Sequence, residues 1–280
     1  MIITVASGKG GTGKTTVAVN LALSLDGAKL FDCDVEEPNA HTLLRLGELD
    51  AQSVEMPTPH IDQDKCTLCG KCAEFCQFNA LFVGKDRVLV YPEMCHSCGG
   101  CSIICPEDAI EEQPRKVGTL FTGEANGISL VFGELNIGEP IATSVIKAVK
   151  SRMKHDEVNI IDAPPGTACP VIETMQESDY LLLVTEPTPF GLHDLEMAVN
   201  VVKELGIPHG VVVNRAGIGD GSERKFCEER DIPIVMEIPF DRRIAELYSV
   251  GTPFVEDMPE WKERFRDLYG VIEEVVNSGE

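Results

Sequence analysis

The sequence predicts an α/β fold in which a doubly wound, mostly parallel sheet carries a small inserted α+β domain. Short apolar runs alternate with longer helical patterns, and several of these runs end in an acidic residue or an amide, which is typical of such a sheet. A cysteine-rich stretch that repeats itself interrupts the pattern and predicts the insertion. With 280 residues, of which 43% are hydrophobic, the chain can form a core of the size required.

The charge of the chain limits its partners. There are 46 acidic residues against 24 basic ones, and the formal net charge is -22. Because such a charge opposes binding to nucleic acid and to anionic lipid, we expect neither as a partner. No apolar stretch is long enough to span a bilayer, and we expect a cytoplasmic protein. In a reducing compartment the eleven cysteines indicate metal or redox chemistry rather than disulfides.

The first predicted strand, residues 1–6, leads into a glycine-rich loop. Gly8 and Gly13 bracket four residues and are followed by Lys14 and Thr15. In this spacing backbone N–H groups surround phosphates, the lysine reaches the outer phosphates and the hydroxyl holds magnesium. An apolar helical pattern over residues 17–25 supplies the expected context. The residues predicted here to bind nucleotide are Gly8, Gly10, Gly11, Thr12, Gly13, Lys14, Thr15 and Thr16.

A second lysine, Lys9, directly follows the first glycine of this loop. The resulting run, Lys-Gly-Gly-Thr-Gly-Lys-Thr-Thr, resembles the deviant phosphate-binding loop of the MinD/ParA and nitrogenase iron protein superfamily. The resemblance implies a P-loop ATPase that binds ATP or ADP with Mg²⁺. It also implies that Lys9 reaches the nucleotide of a second subunit, so that the chain forms a homodimer with ATP.

Acidic residues follow two further predicted strands. Residues 28–31 end in Asp32 and Asp34, and residues 158–161 end in Asp162, at the edge where open parallel sheets bind their ligands. Residues 32–39 resemble the switch I segment of the family, which implies that Asp34 orients or activates water and that Asp32 belongs to the magnesium's water shell. The run after Asp162, Ala-Pro-Pro-Gly-Thr, resembles Walker B and switch II, and an aspartate there can hold magnesium through water. The predicted catalytic residues are Lys9, Lys14, Asp34 and Asp162.

The sheet pattern stops at residues 56–59, Met-Pro-Thr-Pro, which we interpret as a break. A cysteine pattern then occurs twice with an offset of twenty-nine residues, and the duplication predicts two halves of one small fold. In each copy two residues separate each of the first three cysteines from the next, and three residues separate the third from the fourth. The two copies consist of Cys66, Cys69, Cys72 and Cys76, and of Cys95, Cys98, Cys101 and Cys105.

This spacing is that of the bacterial two-cluster ferredoxins, in which the fourth cysteine of each run binds the other cluster. The predicted ligands are Cys66, Cys69, Cys72 and Cys105 for one 4Fe-4S cluster, and Cys95, Cys98, Cys101 and Cys76 for the other. Zinc is the competing interpretation, because thiolates two residues apart also suit a tetrahedral zinc site, although zinc ribbons use pairs. One position departs from the family pattern. In the second copy Pro106 follows the fourth cysteine, whereas in the first copy Gln77 occupies the equivalent position.

These patterns predict two domains. Residues 57–115 form the inserted ferredoxin domain, and residues 1–56 and 116–280 form a MinD-like ATPase domain. Strand patterns resume at residues 119–121 and 128–132. Residues 133–140 resemble a segment of MinD-type ATPases that carry this insertion.

One cysteine outside the repeat, Cys169, follows Asp162 by seven residues. In the nitrogenase iron protein a cysteine at about this place helps to hold a cluster shared by two subunits. A shared cluster needs two ligands from each chain, and residues 117–140 contain no second cysteine. We therefore interpret Cys169 as a free cysteine, and a cluster shared between subunits is the alternative.

The C-terminal half predicts further strands at residues 180–184, 210–213 and 234–238. Resemblance to the family implies that Asn214 reads the adenine edge and that the loop containing Pro239 and Asp241 packs on the base. The last helix presents one apolar face, which we expect to pack on the sheet, since its acidic polar face disfavours a membrane. That face consists of Trp261, Phe265, Leu268, Ile272 and Val275.

The main functional hypothesis is an ATPase whose nucleotide cycle gates electron transfer through two 4Fe-4S clusters to an unidentified partner protein. One alternative is a carrier or assembly ATPase that gives clusters to apoproteins, like the Mrp-type scaffolds. Those scaffolds use a Cys-x-x-Cys pair near the C-terminal part, and this chain has no such pair there. A second alternative is a non-redox positioning or regulatory switch of the MinD and ParA kind.

Overall fold

The computed structural model describes residues 1–279, which contain eleven strands and ten α-helices. The strands are β1 (Ile2–Ala6), β2 (Lys29–Asp32), β3 (Asp50–Ile61), β4 (Leu81–Val83), β5 (Val88–Val90), β6 (Ile110–Ala125), β7 (Ile128–Leu135), β8 (Asn159–Asp162), β9 (Tyr180–Thr185), β10 (His209–Ala216) and β11 (Ile234–Pro239). The helices are α1 (Lys14–Ser24), α2 (Lys71–Phe75), α3 (Gly100–Ile104), α4 (Thr143–Lys150), α5 (Cys169–Met175), α6 (Pro189–Leu205), α7 (Ser222–Glu229), α8 (Arg242–Ser249), α9 (Phe254–Asp257) and α10 (Pro259–Ser278).

Nine strands form one sheet in the order β11-β10-β9-β1-β8-β2-β7-β6-β3. Every neighbouring pair from β11 to β7 is parallel, and β6 is antiparallel to both of its neighbours. The prediction of a mostly parallel α/β sheet is confirmed. The central strand β1 is buried along its whole length because helices cover both faces, which explains why four of its five residues are apolar.

The C-terminal helix α10 packs on α1 and completes one face of the core. Trp261, Phe265, Leu268 and Ile272 are buried, and Val275 is partly buried against the same cluster, as their spacing predicts. Among residues 1–279 no helix combines the length and apolar character needed to cross a bilayer.

The expected break at residues 56–59 is wrong. Strand β3 runs through these residues without interruption and stays paired with β6 as far as Ile61 and Ile110. Pro57 lies opposite Pro114, so this pair is one of those that exchange no backbone hydrogen bonds, and Pro59 lies two residues further at an equivalent position. The three prolines therefore remove no hydrogen bond from the ladder. Together β3 and β6 form a two-stranded ribbon that connects the sheet with the cysteine-rich region.

The cysteine-rich region, residues 57–115 and here called the cysteine unit, repeats its backbone as well as its sequence. Each half contains a strand, a short helix and a second strand, and α2 and α3 begin twenty-nine residues apart. Strand β4 pairs with β5, as the end of β3 pairs with the start of β6. Left-handed backbone conformations recur at equivalent positions, which are Leu68 and Ser97, Gly70 and Gly99, and Asn79 and Asp108.

We predict that Phe265→Ala lowers the free energy of unfolding by about 3–5 kcal/mol, because it removes a ring that is fully buried beneath α1. Val271→Ala on the same helix is the control, since Val271 is 48% exposed and its loss should change stability by less than about 1 kcal/mol. Urea denaturation followed by the fluorescence of Trp261 measures both values. Equal effects of the two substitutions would contradict the packing of this face.

Candidate functional site

The glycine-rich loop, residues 7–13, connects β1 with α1 and is packed tightly against its surroundings. A Cβ atom at Gly8 would lie 2.0 Å from the carbonyl oxygen of Asp194 in α6, so only glycine fits there. Gly13 has a φ of 95°, and a Cβ atom there would lie 2.3 Å from Nδ2 of Asn214. The side-chain amide of Asn214 donates a hydrogen bond of 2.8 Å to the carbonyl oxygen of Thr12. The loop is therefore fixed from two sides.

The loop opens onto a pocket of about 390 Å³, a size suited to a small ligand. Most residues predicted to bind nucleotide line it, namely Gly10, Gly11, Gly13, Lys14, Thr15, Thr16, Asp34, Asn214, Pro239 and Asp241. Five others lie outside the lining, namely Gly8, Lys9, Thr12, Asp32 and Asp162. The structure thus brings together predicted residues from four separate parts of the sequence at the carboxyl edge of the sheet.

The buried carboxylates Asp32 and Asp162 lie behind the loop. Thr15 donates its hydroxyl proton to Oδ2 of Asp162 at 2.5 Å, whereas Oδ1 of Asp162 is buried without a hydrogen-bond partner. Burial and the neighbouring Asp32 raise the pKa of Asp162 to about 8, against the opposing effects of Lys14 and Thr15. A hydroxyl beside an unpartnered carboxylate oxygen fits a hydrated Mg²⁺, which prefers oxygen ligands and retains several waters.

Asp32 is held differently. Its carboxylate accepts backbone N–H groups from Asp34, Asn39 and Ala40, each at 3.0 Å. Burial nevertheless raises its pKa, because these hydrogen bonds do not fully replace water. Asp32 therefore organises the backbone of residues 34–40, which form one wall of the pocket.

Asp34 lies on this wall and faces the pocket. Burial raises its pKa to about 6, and nearby acids add to that effect while Lys14 opposes it. A carboxylate with a pKa in this range can accept a proton from a water molecule near neutral pH.

Lys9 does not enter the pocket of its own chain. Its ammonium group lies 2.7 Å from Oε1 of Glu186, and Arg215 contacts the other carboxylate oxygen at 2.9 Å. Burial alone would raise the pKa of Glu186, but these two ion pairs outweigh it and lower the pKa below its usual value. The sequence analysis did not identify Glu186 as a partner, since the two residues are far apart in the chain.

The far end of the pocket is apolar and aromatic. Asp241 accepts the backbone N–H of Arg243 at 2.7 Å and caps α8, which fixes the loop that precedes this helix. Residues that the sequence analysis missed complete this end, namely Phe240, Ile244, Tyr248 and Phe254. Only Phe240 had a local signal, because it stands between two predicted residues.

In the cysteine unit, thiols from both repeats meet. Cys66, Cys69, Cys72 and Cys105 line one small cavity together with apolar residues, which is the crossed grouping that the spacing predicts. The fourth cysteines of the two repeats are held alike: Ala80 N–H lies 3.4 Å from Sγ of Cys76, and Ala109 N–H lies 3.3 Å from Sγ of Cys105. The arrangement of thiolates and N–H groups fits an iron-sulfur cluster.

Two further pairs of equivalent cysteines in the repeats have similar surroundings. Cys72 and Cys101 are both buried, which raises the pKa of each thiol, and Cys69 and Cys98 are both exposed. His96 is exposed and stacks on Phe78 with ring centroids 3.6 Å apart. Across residues 1–279 no three His, Cys, Asp or Glu side chains are grouped as a site for a single metal ion.

Three cysteines lie outside the unit. Cys33 and Cys227 are buried, and burial raises the pKa of both thiols. Cys169 is exposed at the start of α5.

A family model described as the CobQ/CobB/MinD/ParA nucleotide binding domain matches residues 3–254. The chain belongs to this family. The match covers the loop, both buried aspartates and the cysteine unit, and it ends within α9.

Relatives and solved structures agree with this membership. An uncharacterised protein of Methanocaldococcus jannaschii is 32% identical over 99% of this chain and 97% of the relative. An iron-sulfur cluster carrier protein of Pyrococcus horikoshii is 27% identical, and the alignment covers 99% of this chain and 88% of that relative. The septum site-determining protein MinD of Pyrococcus horikoshii, complexed with Mg-ADP, has a similar fold, with a TM-score of 0.58. The two sequences are 22% identical, and the superposition covers 98% of this chain and 95% of the MinD chain. This MinD/ParA-type fold is that of a P-loop NTPase.

We predict that Gly8→Ala destabilises this MinD/ParA-type chain by roughly 1–3 kcal/mol, because the new methyl group must displace the loop from α6. Gly10→Ala is the matched control, since no atom lies within 4 Å of its Cβ position. Denaturation is measured without nucleotide, so that binding does not contribute. If both variants were as stable as the parent chain, the close contact with Asp194 would be wrong.

Proposed function

We propose that the chain is an ATP-hydrolysing iron-sulfur protein in which the ribbon of β3 and β6 connects a nucleotide site with two 4Fe-4S clusters. The observation that carries the proposal is the cavity where Cys66, Cys69, Cys72 and Cys105 meet, in a chain that also has a phosphate-binding loop and its pocket. Family membership supports the nucleotide part, and the thiol grouping supports the cluster part.

At the nucleotide site, each residue has a role that follows from its position. Residues 10–11 and 13–16 line the pocket, and their N–H groups would bind the phosphates, with Lys14 neutralising the outer charge of these phosphates. Thr15 and Asp162 would hold a hydrated Mg²⁺, and Asp34 would orient a water molecule and accept its proton. The aromatic end formed by Phe240 and Tyr248 would pack on the base.

In the cysteine unit, residues 57–115, the cavity thiols would hold one cluster, and Cys76, Cys95, Cys98 and Cys101 would hold the other. A bound 4Fe-4S cluster supplies one-electron transfer, with a potential set by hydrogen bonds and exposure. The N–H groups of Ala80 and Ala109 donate toward ligand sulfurs and would stabilise their negative charge. The exposed Cys69 and Cys98 lie where a partner could approach.

Two uses of such clusters are compatible with these residues, and the comparisons favour transfer of the cluster itself. The Pyrococcus horikoshii relative is an iron-sulfur cluster carrier protein, which supports a carrier that delivers clusters to apoproteins. The eight cysteines support electron transfer instead, because a complete and duplicated ligand set retains its clusters. A carrier needs a cluster that leaves, whereas an electron carrier needs one that stays.

Iron transfer distinguishes the two uses. The chain is purified without oxygen, its iron and sulfide are counted, and it is incubated with an apo-ferredoxin with and without Mg-ATP. A carrier loses iron to the recipient faster with ATP. An electron carrier keeps about eight irons per chain, is reversibly reduced by dithionite and passes electrons to an acceptor protein. Absence of iron after anaerobic purification would refute both uses.

The two lysines of the loop give a further prediction. Lys14→Ala should abolish nucleotide binding, because it removes the buried ammonium group that faces the pocket. Lys9→Ala should leave nucleotide binding largely intact but weaken ATP-dependent dimerisation and turnover. Fluorescent nucleotide titration, light scattering and phosphate release measure these three properties.

Glu186→Gln serves as the control for Lys9, because it breaks the same ion pair within the chain and leaves the lysine in place. It should retain dimerisation. If Lys9→Ala dimerised and hydrolysed ATP normally, the proposed role of Lys9 across two subunits would have to be abandoned.

A further inference from the structure

The ribbon formed by β3 and β6 leaves the sheet at a β-bulge. Val54 pairs with Gly118 and Glu55 pairs with Lys116, so Val117 is the extra residue. Beyond this point β6 no longer pairs with β7, and only β3 accompanies it toward the cysteine unit. A bulge bends a strand locally, so the orientation of the unit is set here.

A short loop, residues 136–140 between β7 and α4, lies across this bulge. The backbone N–H of Asn136 donates to the carbonyl oxygen of Val117 at 2.9 Å, and its side-chain amide donates to that of Lys116 at 3.0 Å. The preceding residue, Leu135, donates its N–H at 2.8 Å to the carbonyl oxygen of Val35, which directly follows Asp34. The loop therefore contacts both the nucleotide pocket's wall and the base of the ribbon.

The same loop also holds the cysteine unit through an ion pair. Both terminal nitrogens of Arg115 contact the carboxylate of Glu139, in a fork geometry that restricts both side chains. The side chains are only 24% and 11% exposed, so the pair is largely shielded from solvent. Arg115 is the last residue of the cysteine unit, and Glu139 belongs to the loop.

Arg115 continues the connection to a cysteine ligand. Its Nη2 atom donates to the carbonyl oxygen of Pro92 at 3.1 Å, and the same carbonyl accepts the backbone N–H of Cys95 at 3.1 Å. One guanidinium group thus contacts the turn that positions the first cysteine of the second repeat. This guanidinium group is held by Glu139, in the loop that directly follows Leu135, and Leu135 in turn bonds to Val35.

We propose that Arg115 and Glu139 are positioning residues that couple the nucleotide-dependent state of residues 34–35 to the backbone around Cys95. A movement of residue 35 shifts Leu135 and the loop, and the ion pair transmits this shift to the turn at Pro92. The inference rests on the proposed function, because it assigns the nucleotide site a structural effect on the second cluster's ligands.

The test uses the full chain with its clusters, purified without oxygen. Hydrogen exchange of peptides covering residues 88–98 is measured with and without Mg-ATP, together with the paramagnetic resonance spectrum after reduction by dithionite. In the parent chain, ATP changes the exchange near Cys95 and the spectrum. In Arg115→Gln and Glu139→Gln, both changes are lost, while iron content and ATP binding stay at the parental level.

Arg230→Gln is the control, because it removes another arginine–glutamate pair, with Glu196, and neither residue lines the nucleotide pocket or the cysteine cavity. It should retain both nucleotide-dependent changes. If either neutral variant fails to fold, Arg115→Lys replaces it, since lysine keeps the charge beside Glu139 but lacks the fork that also reaches Pro92. That variant should weaken the response.

Retention of the full response in Arg115→Gln and Glu139→Gln overturns the inference, as does a parent chain that binds ATP without any response near Cys95. Failure of the proposed function is recognised separately, because it appears as missing iron or missing ATP binding in the parent chain.

Discussion

Two carboxylates buried side by side are the constraint on which the nucleotide site depends. Asp32 in β2 and Asp162 in β8 lie directly opposite each other in the parallel register, and neither is exposed to solvent. Burying acids in this way is costly unless hydrogen bonds and opposite charges compensate. The backbone of residues 34–40 folds around Asp32, and Thr15 and Lys14 lie toward Asp162. The compensation by protein groups is incomplete, since one oxygen of Asp162 has no hydrogen-bond partner, and the proposed Mg²⁺ would complete it.

The position of the cysteine unit follows from the topology of the sheet. Strand β6 runs against its neighbours, and β3 forms the edge of the sheet, so both can extend beyond it without disturbing the parallel strands. The prolines occupy positions that donate no ladder hydrogen bond, and a bulge sets the bend. An insertion made in this way shares a continuous pair of strands with the sheet. Its orientation is therefore restricted by the sheet, in contrast to a domain on a flexible linker.

Much of the fold and the pocket was predictable from sequence, because both depend on local patterns. Buried parallel strands, the glycine loop and the acids at strand ends all have short-range signals, and the cysteine repeat is visible as a repeat. The interpretation of residues 56–59 failed because prolines were treated as breaks without knowledge of the register. The contacts between Lys9 and Glu186 and between Arg115 and Glu139 could not be predicted, since they join residues that only the folded chain brings together.

The two pairs of strands in the cysteine unit have similar backbones but carry different side chains. In the ribbon, His60 lies opposite Glu111, whereas the equivalent pair in the free hairpin is Leu89 and Phe82, both exposed. The ribbon is continuous with the sheet. The hairpin is held to the ribbon by the side chain of Gln63, which exchanges hydrogen bonds with the backbone of Val88, and by the turn at Pro92 that Arg115 contacts. Equal thiol spacing in the two repeats thus does not give equal surroundings. Two bound clusters would differ through these neighbours and through the N–H of Ser97, which lies 3.4 Å from Sγ of Cys95.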